Sequence, residues 1–329
     1  MQTDEGIIHL RRNINGNFLI STNGVDEYGT LIVDKRTVKE YSYDGCEDII
    51  RVEFGPKVQF VDNWAFCDCP NLKEVVFGQN LEGTNGEAFL SCPRLEKFSI
   101  ADGSKKFFCR DGVLYRRDRE YDTSTGEWTE YPLYELVLFP KAKGGKFKIP
   151  DGVLKIGQSA FCENAVIEEI ALGANVKWII EWAFKGCSAL KKITFNDGLD
   201  NIWPSAFENC AQLREVVMPG SLWKIDNAAF RGCTSLGKAD LGAITGEFSL
   251  GYCAFEGCKS LKEVVLPQSL KKIDFKTFKG CDVLEKINMP ASLKRIGEEA
   301  FAGCSALGHI ELPANVVEVA ENAFPDSRN

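Results

Sequence analysis

The sequence predicts a β-rich solenoid of about ten 23-residue coils with short helical or 3₁₀ corners. A phrase of Ala-Phe with Cys three residues later recurs along the chain, sometimes imperfectly. Its phenylalanines mostly lie 23 residues apart, and apolar residues follow each one at fixed offsets. Self-similarity at a fixed period of this size is typical of solenoids. The repeat phenylalanines are Phe66, Phe89, Phe161, Phe184, Phe207, Phe230, Phe255, Phe278, Phe301 and Phe324.

Each coil is predicted to contain two short strands. Apolar residues lie 9 and 11 positions after the repeat phenylalanine, as Ile193 and Phe195 do, and this alternation is the period of a β-strand. Pro or Gly often follows and ends the strand with a turn. A second apolar pair, such as Leu222 and Ile225, predicts a shorter extended segment. The Ala-Phe phrase then forms the corner that closes the coil.

The regular spacing divides the chain into segments. Residues 1–42 do not fit the repeat and are predicted to form an N-terminal cap, because the first coil of a solenoid otherwise exposes its core. Residues 43–329 are predicted to form the solenoid. A β-hairpin-like insertion at about 101–149 interrupts it, with strands predicted at Asp111–Tyr115 and Leu136–Pro140 on either side of a polar tip.

The cysteines follow the repeat. Eight of the 13 lie three residues after a repeat phenylalanine and therefore occupy one equivalent position in successive coils. Parallel side chains on stacked coils fit poorly with the torsion of a disulfide, so the sequence favours a column of buried free thiols. Disulfides and a metal site are the alternatives. The eight are Cys69, Cys92, Cys187, Cys210, Cys233, Cys258, Cys281 and Cys304.

Charged residues form a second column, on the outward side of the first strand. The sign alternates from coil to coil, and alternation converts a repulsive column into a ladder of ion pairs, each worth about 0.2–1 kcal/mol. The column is Arg51, Glu74 and Lys97, then Glu169, Lys192, Glu215, Lys238, Glu263 and Lys286, with His309 at its end.

Composition excludes some classes of partner. A net charge of -8 argues against nucleic acid, whose binding needs Lys and Arg to neutralise phosphates. No apolar run is long enough for a membrane span. No signal peptide is visible in residues 1–12. Either the protein stays inside the cell or a targeting segment was removed.

Catalytic and metal-binding patterns are weak. The chain has only His9 and His309, and no base stands beside a candidate nucleophile. Cys67 and Cys69 are separated by one residue, which is not the spacing of zinc or thioredoxin-like sites. The glycines of 143–146 favour a turn over a phosphate-binding loop, because no helix pattern follows. We predict no catalytic residue, metal or cofactor.

Tryptophans supply the candidate binding residues. Four of the six lie in three successive coils, and exposed tryptophans are enriched at binding hot spots. The alternative is that they shield that face or pack on each other. The insertion tip is a second candidate, because loops on a rigid scaffold often carry function. The candidates are Trp178, Trp182, Trp203 and Trp223 in the coils, with Trp128 and Tyr131 near the tip.

The repeat unit resembles the BspA-like leucine-rich repeat of bacterial and some protist surface proteins. The segment from Leu261–Pro267 through Phe278–Cys281 is a near-consensus copy. The resemblance implies a right-handed leucine-rich-repeat solenoid, usually on a cell surface or secreted, often adhesive towards host matrix proteins or other cells. It carries no catalytic residues.

The predicted function is therefore a non-enzymatic binding scaffold, a surface adhesin-type protein that recognises a host or matrix protein. A carbohydrate-binding surface module is one alternative, with a glycan as ligand. A structural spacer without a ligand is another. A cytoplasmic location also stays open.

Overall fold

The computed structural model describes residues 9–12, 18–21, 24–117, 121–122, 127–128 and 134–324. The chain folds as a parallel β-solenoid of about 12 turns. This confirms the predicted fold class, with slightly more turns than the ten expected. The coils divide into two compact units, one of Met1–Lys143 with Gly157–Glu163 and one of Gly144–Ile156 with Asn164–Asn329.

The strands are short, and the described residues contain a single 3₁₀ helix, Gly86–Phe89. In chain order the strands are β1 (His9–Arg12), β2 (Phe18–Ser21), β3 (Thr30–Val33), β4 (Thr37–Val38), β5 (Arg51–Phe54), β6 (Phe60–Val61), β7 (Glu74–Phe77), β8 (Lys97–Ile100), β9 (Phe107–Arg110), β10 (Val113–Arg117), β11 (Tyr121–Asp122), β12 (Glu127–Trp128), β13 (Tyr134–Leu138), β14 (Gly145–Lys148), β15 (Val153–Ile156), β16 (Ile167–Ala171), β17 (Trp178–Ile179), β18 (Lys192–Thr194), β19 (Asn201–Ile202), β20 (Glu215–Val217), β21 (Lys224–Ile225), β22 (Lys238–Asp240), β23 (Ser249–Leu250), β24 (Glu263–Val265), β25 (Lys272–Ile273), β26 (Lys286–Ile287), β27 (Arg295–Ile296) and β28 (Glu318–Val319).

In the first unit, parallel stacking begins before residue 42. Strand β3 pairs with β5 in parallel, and the order continues through β7 to β8. Strand β4 likewise pairs with β6. A cap within residues 1–42 would therefore contain a coil of its own, and the cap assignment stays a prediction. Antiparallel pairing joins β9, β10 and β13, inside the segment predicted as an insertion.

The second unit contains two ladders of parallel strands. The first ladder, from the longer strand of each coil, consists of β14-β16-β18 and β20-β22-β24-β26. The second ladder contains β15-β17-β19-β21-β23 and β25-β27-β28. Equivalent residues pair across coils, as Ile170 does with Ile193 and Ile179 with Ile202. The sequence period thus sets the register, because a slip of one residue would turn these buried side chains outwards.

Stacked phenylalanines form the centre of the core. In the second unit, the rings of Phe207 and Phe230 lie 5.0 Å apart and are inclined by only 1°. The stack continues to Phe324, where the last pair of centroids is separated by 5.1 Å. In the first unit Phe139, which lies outside the 23-residue series, stacks on Phe161 at 4.3 Å. One large side chain per coil therefore fills the space between the two ladders.

Turns, rather than helices, form most corners. The residues two before and two after the repeat phenylalanine commonly have positive φ, as at Ala228 (φ 55°) and Gly232 (φ 71°). A left-handed residue on each side of the phenylalanine prevents a helix from continuing. Glycine adopts this conformation without the penalty that a Cβ brings, which explains the frequent Gly before the repeat Cys.

The repeat cysteines donate hydrogen bonds to backbone carbonyl oxygens at the corners. The thiol of Cys233 donates to the carbonyl oxygen of Phe207 at 3.1 Å, and Cys304 bonds in the same way to Phe278 at 3.1 Å. All 13 cysteines are free, as the sequence favoured. Burial raises the pKa of Cys210 and of Cys258. These thiols therefore stay protonated and serve as small buried donors.

We expect the native protein to react slowly with Ellman's reagent at mildly alkaline pH. The partly accessible thiols are poor nucleophiles, because burial and neighbouring carboxylates raise the pKa of Cys67 to about 12 and that of Cys253 to about 11. After unfolding in guanidinium chloride without reductant, all 13 thiols should react. A lower count after unfolding would indicate disulfides and contradict this account.

The predicted ladder of charges is present in part. Glu74 forms ion pairs with residues of both neighbouring coils. Its partners are Arg51 in the preceding coil and Lys97 in the following one, whose Nζ lies 3.0 Å from the carboxylate. Lys238 similarly contacts Glu263 at 3.1 Å. The side chains are partly exposed, so each pair adds little stability. The alternating charges chiefly disfavour a shift of the stacking by one coil, because such a shift would place like charges beside each other.

Candidate functional site

The first ladder opens between β18 and β20. In the part of the chain that the structure describes, these two strands do not pair, although β16 pairs with β18 and β20 with β22. One backbone bond remains at the entrance of the opening, from the N–H of Arg214 to the carbonyl oxygen of Lys191 at 3.3 Å. The opening forms a groove of about 810 Å³.

One ladder bond is missing at the opening. The backbone N–H of Met218 donates to the carbonyl oxygen of Asp240 in the following coil at 2.8 Å, and Leu172 and Leu241 make the same bond in their coils. Among the described residues, no such bond joins the N–H of Phe195 to Val217. The side-chain amide of Asn196, at a position where other coils have Pro or Gly, instead donates to the carbonyl oxygens of Ala174 and Val176 in the preceding coil at 3.0 Å.

We name this opening the first-ladder groove and define it by Glu169, Lys192, Phe195, Arg214, Glu215 and Val217. Its lining includes apolar side chains, of which Phe195 is half-buried and Val217 is 56% exposed. Charged side chains of both signs line the same groove. This mixture of apolar and charged side chains is typical of protein–protein interfaces.

The four predicted tryptophans lie on neighbouring coils of the second unit. Trp178 is half-buried in β17, whereas Trp203 and Trp223 are 41% and 50% exposed beside β19 and β21. Trp182 occupies a corner with φ 57°, and the Nζ of Lys185 lies 5.8 Å from its ring centroid. Among the described residues, no ring contact joins any two of the four. They form a series along the second ladder, and their role in binding stays a prediction.

The insertion tip is described only in part. Trp128 belongs to β12, which pairs antiparallel with β11. Tyr131 lies outside the described residues. The binding role of both residues stays a prediction.

Three possible metal ligands meet in the first unit. Asp44, Cys67 and Asp68 place their ligand atoms within 4.8 Å of one another. Burial, together with the two carboxylates, raises the pKa of the Cys67 thiol to about 12. A protonated thiol is a poor metal ligand, and structural zinc sites use four ligands. We assign no metal to this cluster.

A second alternating column of charges lies directly after the repeat phenylalanines. Glu208 is central to it, with a side chain only 5% exposed. The Nε of Arg231 donates to its carboxylate at 2.9 Å, and the Nζ of Lys185 lies 3.2 Å away. Burial by itself would raise the pKa of Glu208, but the bonds from Arg231 and Lys185 outweigh burial and lower it. The sequence shows this alternation at Lys185, Glu208, Arg231, Glu256 and Lys279, but the column was not predicted from it.

Sequence comparison identifies the family. Six copies of the BspA type leucine-rich repeat region match residues 31–109, 138–248 and 243–329. The chain belongs to the BspA-type leucine-rich repeat family. Proteins of this family form repeat scaffolds. No curated protein matches this chain.

Solved structures of leucine-rich repeat proteins share the fold. The T. pallidum leucine-rich repeat protein is 26% identical over 58% of this chain and 88% of its own, with a TM-score of 0.50. A leucine rich cell surface protein from Faecalibacterium prausnitzii A2-165 is 22% identical over 79% of this chain and 59% of its own, with a TM-score of 0.54. A leucine-rich repeat protein from Eubacterium ventriosum ATCC 27560 is 18% identical over 97% and 92%, with a TM-score of 0.58. The chain thus spans less than two thirds of the F. prausnitzii protein. In the ranges that the structure describes, no helix combines the length and apolarity needed to cross a bilayer.

Proposed function

We propose that this BspA-type chain is a non-enzymatic scaffold that binds a protein partner through the first-ladder groove. The observation that carries the proposal is the groove itself, an opening of about 810 Å³ lined by apolar side chains and by charged side chains of both signs. Leucine-rich repeat proteins typically act through protein interactions. A polypeptide offers the matching combination of apolar side chains and charges of both signs.

The balance of charges in the groove favours a protein over a polyanion. Lys192 and Arg214 stand beside Glu169 and Glu215, so a nucleic acid would meet carboxylates as well as cations. Val217 provides exposed apolar area in the groove, and a few buried anchor side chains supply most of the binding energy of an interface. The charged side chains of the groove would orient the partner.

We further propose that the scaffold acts at the cell surface and adheres to host or matrix proteins. Its likeness to a protein described as a leucine rich cell surface protein supports this location. A rigid array of coils presents its groove without rearrangement, which reduces the entropy lost on binding.

Immobilised fibronectin and fibrinogen provide the first test, measured by biolayer interferometry with the full chain. We expect saturable binding to one of them, and Val217→Asp should weaken that binding by about tenfold or more because it replaces the exposed apolar side chain of the groove by a charge. The matched control is Val76→Asp, at the equivalent outward strand position in the first unit. It should bind like the parent chain.

Circular dichroism must show unchanged folding for both variants. Loss of binding in a Trp178→Ala, Trp223→Ala double variant, with full binding by Val217→Asp, would move the site to the tryptophan series. Absence of binding to both matrix proteins would count against adhesion to the matrix.

A further inference from the structure

A repeat interval slightly longer than usual coincides with a second opening. Phe230 and Phe255 are separated by 25 residues, two more than the usual 23. In the second ladder of the described structure, β23 pairs with β21 and β25 pairs with β27, but β23 and β25 do not pair. The extra residues of this coil therefore coincide with a break in the second ladder.

The break leaves backbone groups without their usual partners. At the equivalent position of neighbouring coils, the N–H of Gly251 donates to Ile225 and that of Gly297 donates to Ile273, both at 2.8 Å. In the described residues, no such bond joins the N–H of Asp274 to the carbonyl oxygen of Leu250. Unpaired backbone groups of this kind need water or a ligand as a partner.

A groove of about 420 Å³ lies at this break. We name it the second-ladder groove and define it by Lys224, Ser249, Tyr252, Lys271, Lys272 and Asp274. Its volume falls within the range of small-molecule sites, roughly 300–1,000 Å³. It is also distinct from the first-ladder groove, which lies on the other ladder.

The charges of the groove are nearly balanced. Lys224 pairs with Asp226 at 2.6 Å, and Lys271 pairs with Glu247 at 3.2 Å. Within the part of the chain that the structure describes, neither Lys272 nor Asp274 makes an ion pair. An anionic ligand would meet the aspartates, and a cationic ligand would meet the lysines. A neutral ligand that both donates and accepts hydrogen bonds fits this lining.

Tyr252 adds a flat apolar surface to these polar groups. Its side chain is 50% exposed in the groove wall, and its backbone N–H is held by the Asn227 side chain at 2.9 Å. The face of an aromatic ring carries partial negative charge and attracts the C–H groups of a sugar ring. Sugar hydroxyls would at the same time bond to Lys272, Asp274 and the unpaired backbone groups.

We propose that the second-ladder groove binds a neutral saccharide. Tyr252 stacks against a sugar ring, and the ammonium of Lys272 and the carboxylate of Asp274 bond to its hydroxyls. This site is independent of the proposed protein partner, because it uses other residues on the other ladder. Loss of one function therefore leaves the other unaffected.

Isothermal titration calorimetry of the full chain with neutral trisaccharides tests the proposal. Maltotriose, cellotriose, mannotriose and chitotriose are the probes, with sialyllactose and an oligoglutamate peptide as anionic comparisons. We expect one neutral trisaccharide to bind with a dissociation constant on the order of 1 mM or tighter. Tyr252→Ala and Lys272→Ala should each weaken it by about tenfold or more, because each removes one of the two kinds of contact.

The matched control is Lys294→Ala, which removes an exposed lysine from the neighbouring coil outside the groove and should bind like the parent chain. Val217→Asp should also retain saccharide binding, which separates this site from the protein site. The proposal is overturned if no neutral trisaccharide binds, if only the anionic probes bind, or if folded Tyr252→Ala and Lys272→Ala variants keep full affinity.

Discussion

Replacing Phe230 by alanine is expected to lower the free energy of unfolding by about 3–5 kcal/mol. The ring is fully buried and stacks between Phe207 at 5.0 Å and Phe255 at 5.4 Å. Removing it leaves a cavity between two rigid coils that cannot collapse without breaking their backbone bonds. Guanidinium chloride unfolding followed by tryptophan fluorescence would measure the change.

The aromatic control is Tyr28→Ala, because the Tyr28 side chain is 75% exposed. It should change the free energy of unfolding by no more than about 0.5 kcal/mol. Phe230→Leu should recover much of the loss by refilling part of the volume. A loss below about 1 kcal/mol in Phe230→Ala would show that the stack is not the principal source of core stability.

Glu208→Gln is expected to cost about 1–3 kcal/mol at neutral pH and progressively less under acidic conditions. This cost is smaller than for a fully buried ion pair. Arg231 and Lys185 are 46% and 39% exposed, so water can hydrate them once the carboxylate is removed. The folded-state pKa of Glu208 lies below its ordinary value of 4.5. Its stabilising effect is therefore present above that value and is lost as the pH falls through the folded pKa.

Urea unfolding at several pH values provides the measurement, since urea does not screen charges as guanidinium salt does. Glu263→Gln is the matched control, because the carboxylate and its partner Lys238 are 37% and 38% exposed. It should cost at most about 1 kcal/mol. An equal cost of Glu208→Gln at neutral pH and well below the ordinary carboxyl pKa would contradict an ionic origin.

The periodic part of this protein could be predicted from its sequence. Both strands of a coil, the phenylalanine stack and the column of free thiols follow from residues that recur at one spacing, because stacked coils repeat the same environment. The alternating charges of Arg51, Glu74 and Lys97 likewise indicated their contacts.

The grooves could not be predicted in this way, because they arise where the period is disturbed. At the first, Asn196 replaces the usual Pro or Gly and its side chain bonds to the preceding coil, and sequence alone does not show which carbonyl oxygen an amide will bond to. The second depends on two extra residues before Phe255. That interval was visible, but only the structure shows that it separates strands rather than enlarging a turn. The tryptophans were predicted from residue type. Trp178 lies in β17, Trp203 and Trp223 lie beside β19 and β21, and none of the four predicted tryptophans of the coils lines either of the two grooves.

The longer coil leaves the phenylalanine stack unchanged. Phe230 and Phe255 remain 5.4 Å apart and inclined by only 7°, although two additional residues lie between them. The two-residue insertion in this coil therefore hardly changes the packing of the core. This coil thus carries two additional residues and a groove at its surface while its place in the stacked core is kept.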